Sequence, residues 1–365
     1  MTRCALSLLL SVVLIFSFGL LMVFNTSAAA VLDRSLGHST HHALLRQIFY
    51  GALGAGAGWG VWKVGYERIL QHSGTLLMVG TCLLICVFIP GLSQEIKGSH
   101  RWVSVFGLSF QPSEFMKFLI PLYYIHVITV QEKPLILKSL LKLLGLIAIP
   151  IALILIEPDN GSVAIILASL LALFVLTRLK WVYWVLPLCV LTALGVVAAS
   201  QMKHVPDRIR VYLHPELDLQ GKGHQPYQAK IAAGCGRLWG KGFGESVQKL
   251  DYLPEAKNDY IAAIFAEECG FMGMLGLIGL YMGIGYLGFH LCSRTETLPC
   301  FYLAALLTFL ISFQAFLNLG VVSGLLPSKG TNLPFFSQGG SSLLANSMAV
   351  ALLLNVAKPK ERYAS

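Results

Sequence analysis

Runs of about eighteen or more apolar, uncharged residues recur along almost the whole chain, and a run of that length is what an α-helix needs to cross roughly 30 Å of hydrocarbon. With no water in that layer, each spanning segment must satisfy its own backbone polar groups, which restricts the chain to helices or a closed barrel. Runs at 5–24, 44–62, 74–92, 113–130, 139–156, 162–177, 181–200, 260–290, 299–320 and 341–357 predict an all-α, polytopic membrane protein with about ten transmembrane helices. Composition agrees: 56% of residues are hydrophobic and 12% charged, against roughly 25% charged in soluble domains. A single membrane domain is expected over residues 1–365. The first run, between Arg3 and the small residues Ala28, Ala29 and Ala30, partly imitates a signal peptide. It exceeds the usual apolar core of about 7 to 15 residues, so it reads as a span.

Charge sets the orientation. With the N-terminus in the cytoplasm, Lys63, Arg68, Lys133, Lys138, Arg178, Lys180, Arg294, Lys358, Lys360 and Arg362 all fall inside, while the short outer loops carry only Arg34, Lys97, Arg101 and Lys329. This distribution predicts a multi-pass inner-membrane protein with both termini cytoplasmic. The stretch 201–259, between the seventh and eighth spans, becomes a long extracytoplasmic loop; such loops translocate largely regardless of charge. Its prolines at 206, 215, 226 and 254 and its many glycines predict short, turn-punctuated elements. The loop's lysines and arginines suit anionic partners, membrane lipid phosphates among them. The net charge of +9 is spread through inter-span segments without a contiguous basic surface, which excludes nucleic acid as a partner. Six of the eight cysteines lie within or beside apolar runs, so they form no disulfide framework. His38, His41 and His42 read as a solvated cluster, because no further ligand type joins them.

Ionisable groups at membrane depth are costly and therefore point to function. Glu114 and Lys117 in QPSEFMK stand three apart on one helical face, which permits an ion pair or a substrate role. Glu157 and Asp159 in IEPDNGS close the fifth span, and Arg101 with Trp102 lies in an outer loop. Glu267 and Glu268 enter the eighth span, where pairing with another helix is the simplest use. Asp259 stands where the long loop dives into the bilayer, beside Tyr260 and behind Lys257. A half-desolvated carboxylate there becomes a stronger base while the cation opposes the shift; the residues alone leave open whether it is a base or a helix N-cap. The loop GLLPSKGTNLPFFSQGGSS has enough proline and glycine to be non-helical, so beside lipid it must line a cavity or be buried in protein. Its Lys329, Ser337, Ser341 and Ser342 suit either a phosphate or a plain turn with a serine cap.

The blocks QPSEFMK, PDNGS, HQPYQA, GKGFGES, VQKLDYLPEAKNDYIAAIFAEECGFMG and LPSKGTNLPFFSQGGSS occur between about residues 90 and 357. In content and order they resemble the SEDS family, and VQKLDYLPEA is more similar to its FtsW-like cell-division branch than to its RodA-like elongation branch. The resemblance implies a peptidoglycan glycosyltransferase that polymerises lipid II, a disaccharide-pentapeptide on undecaprenyl diphosphate, into β-1,4 glycan strands at the division septum. It assigns Asp259 the role of general base in an inverting reaction. It implies a class B penicillin-binding transpeptidase and other division proteins as partners, no tightly bound cofactor, and a divalent cation, Mg2+ or Mn2+, as an assistant. A lipid diphosphate leaving group needs positive charge, for which Arg101, Lys117, Arg208, Arg210 and Lys329 are the candidates the family blocks offer. Trp102, Glu114, Asp159, Gln225, Gln228, Gln314, Asn318, Ser337, Gly339, Gly340 and Ser341 take substrate-cavity or supporting places. The chain departs from the family in having Lys257 and Asn258 before the aspartate, Tyr260 after it, Gln338 before the paired glycines, and Cys235 in the long loop. Lys257 favours the ionised carboxylate more than a neutral His would, which predicts a shifted pH profile. The rival reading is a lipid II flippase. A carrier would hold its charged groups near the midplane on paired broken helices, whereas these acids crowd toward the outer interface. A scaffold for division proteins would leave Asp259 unexplained.

Overall fold

The computed structural model describes residues 3–34, 41–89, 93–96, 99–105, 108–130, 137–185, 214–218, 223–250, 256–327 and 330–358, with the single positions 91, 189, 212, 221 and 253. The apolar runs are helices. They are α1 Arg3–Arg34, α2 His42–Val64, α4 Ser73–Cys86, α5 Pro112–Val130, α6 Leu137–Ile156, α7 Asn160–Leu176, α9 Ile261–Ser293, α10 Leu298–Val322 and α11 Gly340–Val356. A short α3, Tyr66–Gln71, precedes α4, because Gly65 at φ +87° ends α2 and turns the chain. Of the seventh expected span, 181–200, only 181–185 and 189 lie within the described residues, beginning with a 3-10 turn at Trp181–Tyr183. By length and composition alone α1, α6, α9 and α10 suffice to cross a membrane. The others are shorter or diluted by glycine and charge, and the chain as a whole is a polytopic membrane protein.

Helix packing follows the small residues. Gly54 and Gly58, four apart on α2, face α11: a Cβ at Gly54 would lie 2.8 Å from Ser347 Oγ, and one at Gly58 3.3 Å from Ala351 Cβ. Between helices in lipid the attraction is close contact rather than water exclusion, so this stripe of small residues is what lets the two backbones meet.

Two features depart from a plain bundle. Ser93–Ile96, Ser99–Val105 and Leu108–Phe110 form β1, β2 and β3 of a small antiparallel sheet in the order β1-β2-β3. The all-α expectation did not include it; outside the helices, strand pairing is how this inter-helix segment satisfies its backbone groups. The sheet carries Arg101 and Trp102 on its central strand, with Trp102 opposite Gln94.

The second departure is a break in α9 at Gly270, whose φ is +66° and ψ −167°. The segment after α8 (His224–Cys235) fills the break. Lys241 N and Gly242 N donate to the carbonyls of Glu267 and Glu268 at 3.0 and 3.1 Å, and Phe271 N and Met272 N donate to Arg237 O and Leu238 O at 2.9 and 3.1 Å. Four backbone groups freed by the kink are thus satisfied by the loop, the condition under which irregular backbone survives at membrane depth. The same loop receives the two acids. Glu267 meets Lys241 Nζ at 2.6 Å and Ser246 Oγ at 2.5 Å. Glu268 meets Lys249 Nζ at 2.9 Å and Asn25 Nδ2 of α1 at 2.5 Å. Their partners are therefore mainly a folded-back loop, with one contact to a neighbouring helix, rather than the helix-to-helix pairing that the sequence suggests.

Candidate active site

Asp259 closes the turn leading into α9. The helix N-cap is Tyr260, which makes no side-chain cap bond, so the N-cap reading of Asp259 does not hold. Asn318, buried on α10, fixes the turn by donating Nδ2 to Asp259 O at 2.8 Å and to Thr331 O at 2.6 Å. Gln338 N donates to Lys257 O at 3.0 Å. The loop between α10 and α11 is thereby stitched to the entrance of α9, and the absence of a side chain at Gly330 makes room for the Asp259 carboxylate: a Cβ there would come 2.9 Å from Oδ2.

The carboxylate lines a cavity of about 620 Å³. Arg101, Trp102, Glu114, Lys117, Asp159, Gln225, Gln314, Gly339 and Gly340 share its wall, so nine positions picked out by motif converge on one polar hollow with Asp259. The loop carrying Gly339 and Gly340 is the cavity wall that its composition predicts. Glu114 and Lys117 form a buried ion pair at 2.7 Å, the structural use of that spacing. Asp159 is held by four donors: Ser162 N at 3.2 Å, Ser162 Oγ at 2.7 Å, Ser113 Oγ at 2.8 Å and Gln111 Nε2 at 3.2 Å. Its carboxylate therefore ties α5, α7 and the strand-to-helix turn together. Arg101 donates Nε to Glu157 O at 2.8 Å and an Nη to Pro158 O at 3.0 Å. A guanidinium carries five N–H groups, so these two bonds do not exhaust it, and Arg101 also lines the cavity. Beneath this clasp Glu157 is 1% exposed, with neither carboxylate oxygen hydrogen-bonded. Burial, reinforced by Asp159 and opposed by Arg101, pushes its pKa up to about 8.

The remaining motif positions are placed otherwise. Ser341 Oγ accepts from Gln111 N at 2.9 Å and Ser337 Oγ from Leu333 N at 2.8 Å; both are structural bonds, and neither residue lines the cavity. Gln228 is half-buried on α8, away from the lining. Arg208, Arg210 and Lys329 lie outside the described residues. The sequence reading missed the contribution of α2. Arg46, Gln47 and Tyr50 form a wall, with Arg46 donating to Ser109 Oγ at 2.9 Å and lying 5.8 Å from the Tyr50 ring centroid. Gly340 abuts that ring; a Cβ there would lie 2.6 Å from it. Two polar residues opening an apolar run, with an aromatic one turn on, were the available signal.

Among the described residues no group of three or more His, Cys, Asp or Glu makes a ready-built metal site; Asp159 is taken up by its four donors and Glu114 by Lys117, so a divalent cation held by one carboxylate and substrate phosphates would meet Asp259 in this wall.

Comparison with known proteins finds relatives over nearly the whole chain. A profile of the FtsW/RodA/SpoVE family, described as cell cycle protein, matches residues 5–362. The chain is 35% identical over 355 residues to the probable peptidoglycan glycosyltransferase FtsW of Nitrosomonas europaea, covering 95% of this chain and 90% of the relative. It is 36% identical over 367 residues to the probable peptidoglycan glycosyltransferase FtsW of Coxiella burnetii, covering 98% and 95%. Its fold is that of the Thermus thermophilus rod shape determining protein RodA, at TM-score 0.68 and 24% identity over 98% of this chain and 97% of that one. A chain from work on the structural coordination of polymerization and crosslinking by a peptidoglycan synthase complex superposes at TM-score 0.78 and 24% identity, over 98% of each.

Proposed function

This chain belongs to the FtsW/RodA/SpoVE cell cycle protein family, and on that premise we propose that it is a peptidoglycan glycosyltransferase whose chemistry takes place beside Asp259. One observation carries the reading: the Asp259 carboxylate lines a polar cavity that also holds Arg46, Arg101, Lys117 and Lys257. A site joining sugars from a lipid diphosphate needs a base for the attacking hydroxyl and cations for the departing phosphates.

The substrate is lipid II. Asp259 takes the proton from the 4-hydroxyl of the acceptor sugar as that oxygen attacks the anomeric carbon of the growing chain. The bond to the diphosphate breaks with inversion, and the lipid diphosphate leaves. Arg46, Arg101 and Lys257 face the negative charge that develops; Lys117, already paired with Glu114, contributes to the field less directly. The cavity opens on the extracytoplasmic side, with both termini cytoplasmic. The VQKLDYLPEA block and the two FtsW relatives favour a septal place, with a class B penicillin-binding transpeptidase to crosslink the strands.

The test is purified protein with its transpeptidase partner and labelled lipid II. Asp259→Ala is expected to lower glycan polymer by roughly 10²- to 10⁴-fold, the usual worth of a general base, with thermal unfolding unchanged. Polymer formed at the native rate by that variant overturns the base assignment. Lipid II crossing vesicle membranes at the same rate in native and Asp259→Ala protein, without polymer from either, points to a flippase instead.

A further inference from the structure

A second cavity, of about 230 Å³, lies at the other end of α9 from Asp259. The α9–α10 turn supplies Arg294, Thr295, Glu296 and Thr297, the end of α11 supplies Lys358, and the α2–α3 turn supplies Tyr66. Its frame is fixed: Asn355 of α11 accepts from Tyr66 N at 3.0 Å and donates to Trp62 O at 2.8 Å, and Thr295 Oγ1 donates to Cys292 O at 2.8 Å. The wall carries two cations and one acid, with Glu67 accepting from the Tyr66 hydroxyl at 2.9 Å beside it. Among the described residues neither Arg294 nor Lys358 forms an ion pair with a carboxylate.

The surroundings set the level in the bilayer. Lys358 Nζ lies 5.5 Å from the Trp62 ring centroid and Lys63 Nζ 5.2 Å from that of Trp59. Tryptophan rings joined to lysines at the end of an apolar helix mark the headgroup zone, and Leu298, next to Thr297, is 65% exposed. The volume equals that of about eight waters, enough for a phosphodiester and its first carbons. A hollow between helix ends at headgroup height, with two cations in its wall that pair with no carboxylate among the described residues, is the chemistry that recognises a lipid phosphate.

We propose that this cavity is a binding site for a phosphate group, supplied by an anionic phospholipid of the leaflet opposite the Asp259 cavity. Arg294 and Lys358 neutralise the phosphate, Thr297 offers a hydroxyl, and the acyl chains lie along the exposed apolar flank. The proposal does not depend on the glycosyltransferase reading.

The test uses the full chain in nanodiscs of phosphatidylcholine with or without phosphatidylglycerol. Retained lipid is counted by native mass spectrometry after mild delipidation. Native protein is expected to keep one phosphatidylglycerol, and Arg294→Gln with Lys358→Gln to bind it roughly tenfold or more weakly, about what two interfacial cations supply. Unfolding temperature in phosphatidylcholine should be the same for both, and Arg294→Lys should keep most of the binding. Glycerol phosphate and inorganic phosphate at millimolar level separate the sources. Failure of both to displace the lipid assigns the site to the headgroup, and displacement by either assigns it to a free phosphate. Equal retention of phosphatidylglycerol by native protein and the double variant, with no phosphate binding in either, overturns the proposal.

Discussion

A single carbon added at Gly330 would come 2.9 Å from Asp259 Oδ2, closer than real Cβ contacts allow, so the carboxylate or the loop must shift. Gly330→Ala is expected to cut polymerisation by at least tenfold, because small misplacements of a base are costly, while unfolding temperature stays within a few degrees; steady-state rates and thermal unfolding on the same preparation check it. Lys257 shares the cavity wall with Asp259, and its positive charge favours the ionised carboxylate. In Lys257→His the acid limb of the rate-pH profile should move to higher pH, and superimposable profiles would remove any role for the lysine's charge. Glu157 gives a pH dependence of stability. Its pKa rises from the usual 4.5 to about 8, so across that window the folded state keeps a proton that the unfolded chain releases. Stability from this group is therefore lost as pH climbs from about 5 toward 8, and the unfolding temperature of Glu157→Gln should fall less over that range. At this scale the sequence was informative where chemistry is rare: carboxylates and cations beside lipid are few enough to single out Asp259, Asp159, Arg101 and Lys117. It was silent on Arg46 and Tyr50, which reach the site only because α2 packs on α11 through glycine.

Among the elements, α9 and the loop docked into it form one unit. Gly236, Gly240 and Gly270 meet backbone: a Cβ at each would lie 1.9 Å from Ala266 O, 2.0 Å from Glu268 O and 2.2 Å from Gly240 N respectively. Glu268 and Lys249 are buried together, at 0% and 7% side-chain exposure. Removing one partner strands a charge, at a cost of roughly 3–5 kcal/mol, whereas apolar replacement of both is often nearly neutral. Lys249→Met should lower the unfolding temperature clearly, and Lys249→Met with Glu268→Met should recover most of the loss; differential scanning fluorimetry on the two proteins decides. The acids were visible in the sequence as a problem needing a solution. The solution was not, because Lys241 and Lys249 lie in a stretch whose glycines and prolines specify turns but not where those turns dock. The small sheet at 93–110 was hidden likewise, since three short strands beside a strong apolar run leave little periodicity to read.

For the whole molecule, seven of the ten expected spans match observed helices within about three residues at each end, because the thickness of hydrocarbon imposes a length that local sequence must meet; α1 runs on to Arg34, ten residues past its expected end, α4 stops at Cys86, six short of its own, and the seventh lies mostly outside the described residues. The inside-outside assignment is a prediction from lysine and arginine placement. Single cysteines at the exposed Glu216 and Arg294, in a background with the exposed Cys82, Cys189 and Cys235 changed to Ser, should differ: an impermeant maleimide added to spheroplasts should label the first and spare the second. The reverse pattern would invert the topology and place the Asp259 cavity in the cytoplasm.

The loop that fills the break in α9 also precedes that helix in the chain. Ribosomes therefore deliver Lys241, Ser246 and Lys249 before Glu267 and Glu268, and the glycine pocket is made before the helix that must bend around it. During insertion the two acids never wait in the lipid for a later-made partner, and the most expensive stretch of α9 enters the bilayer with its counter-charges already translated.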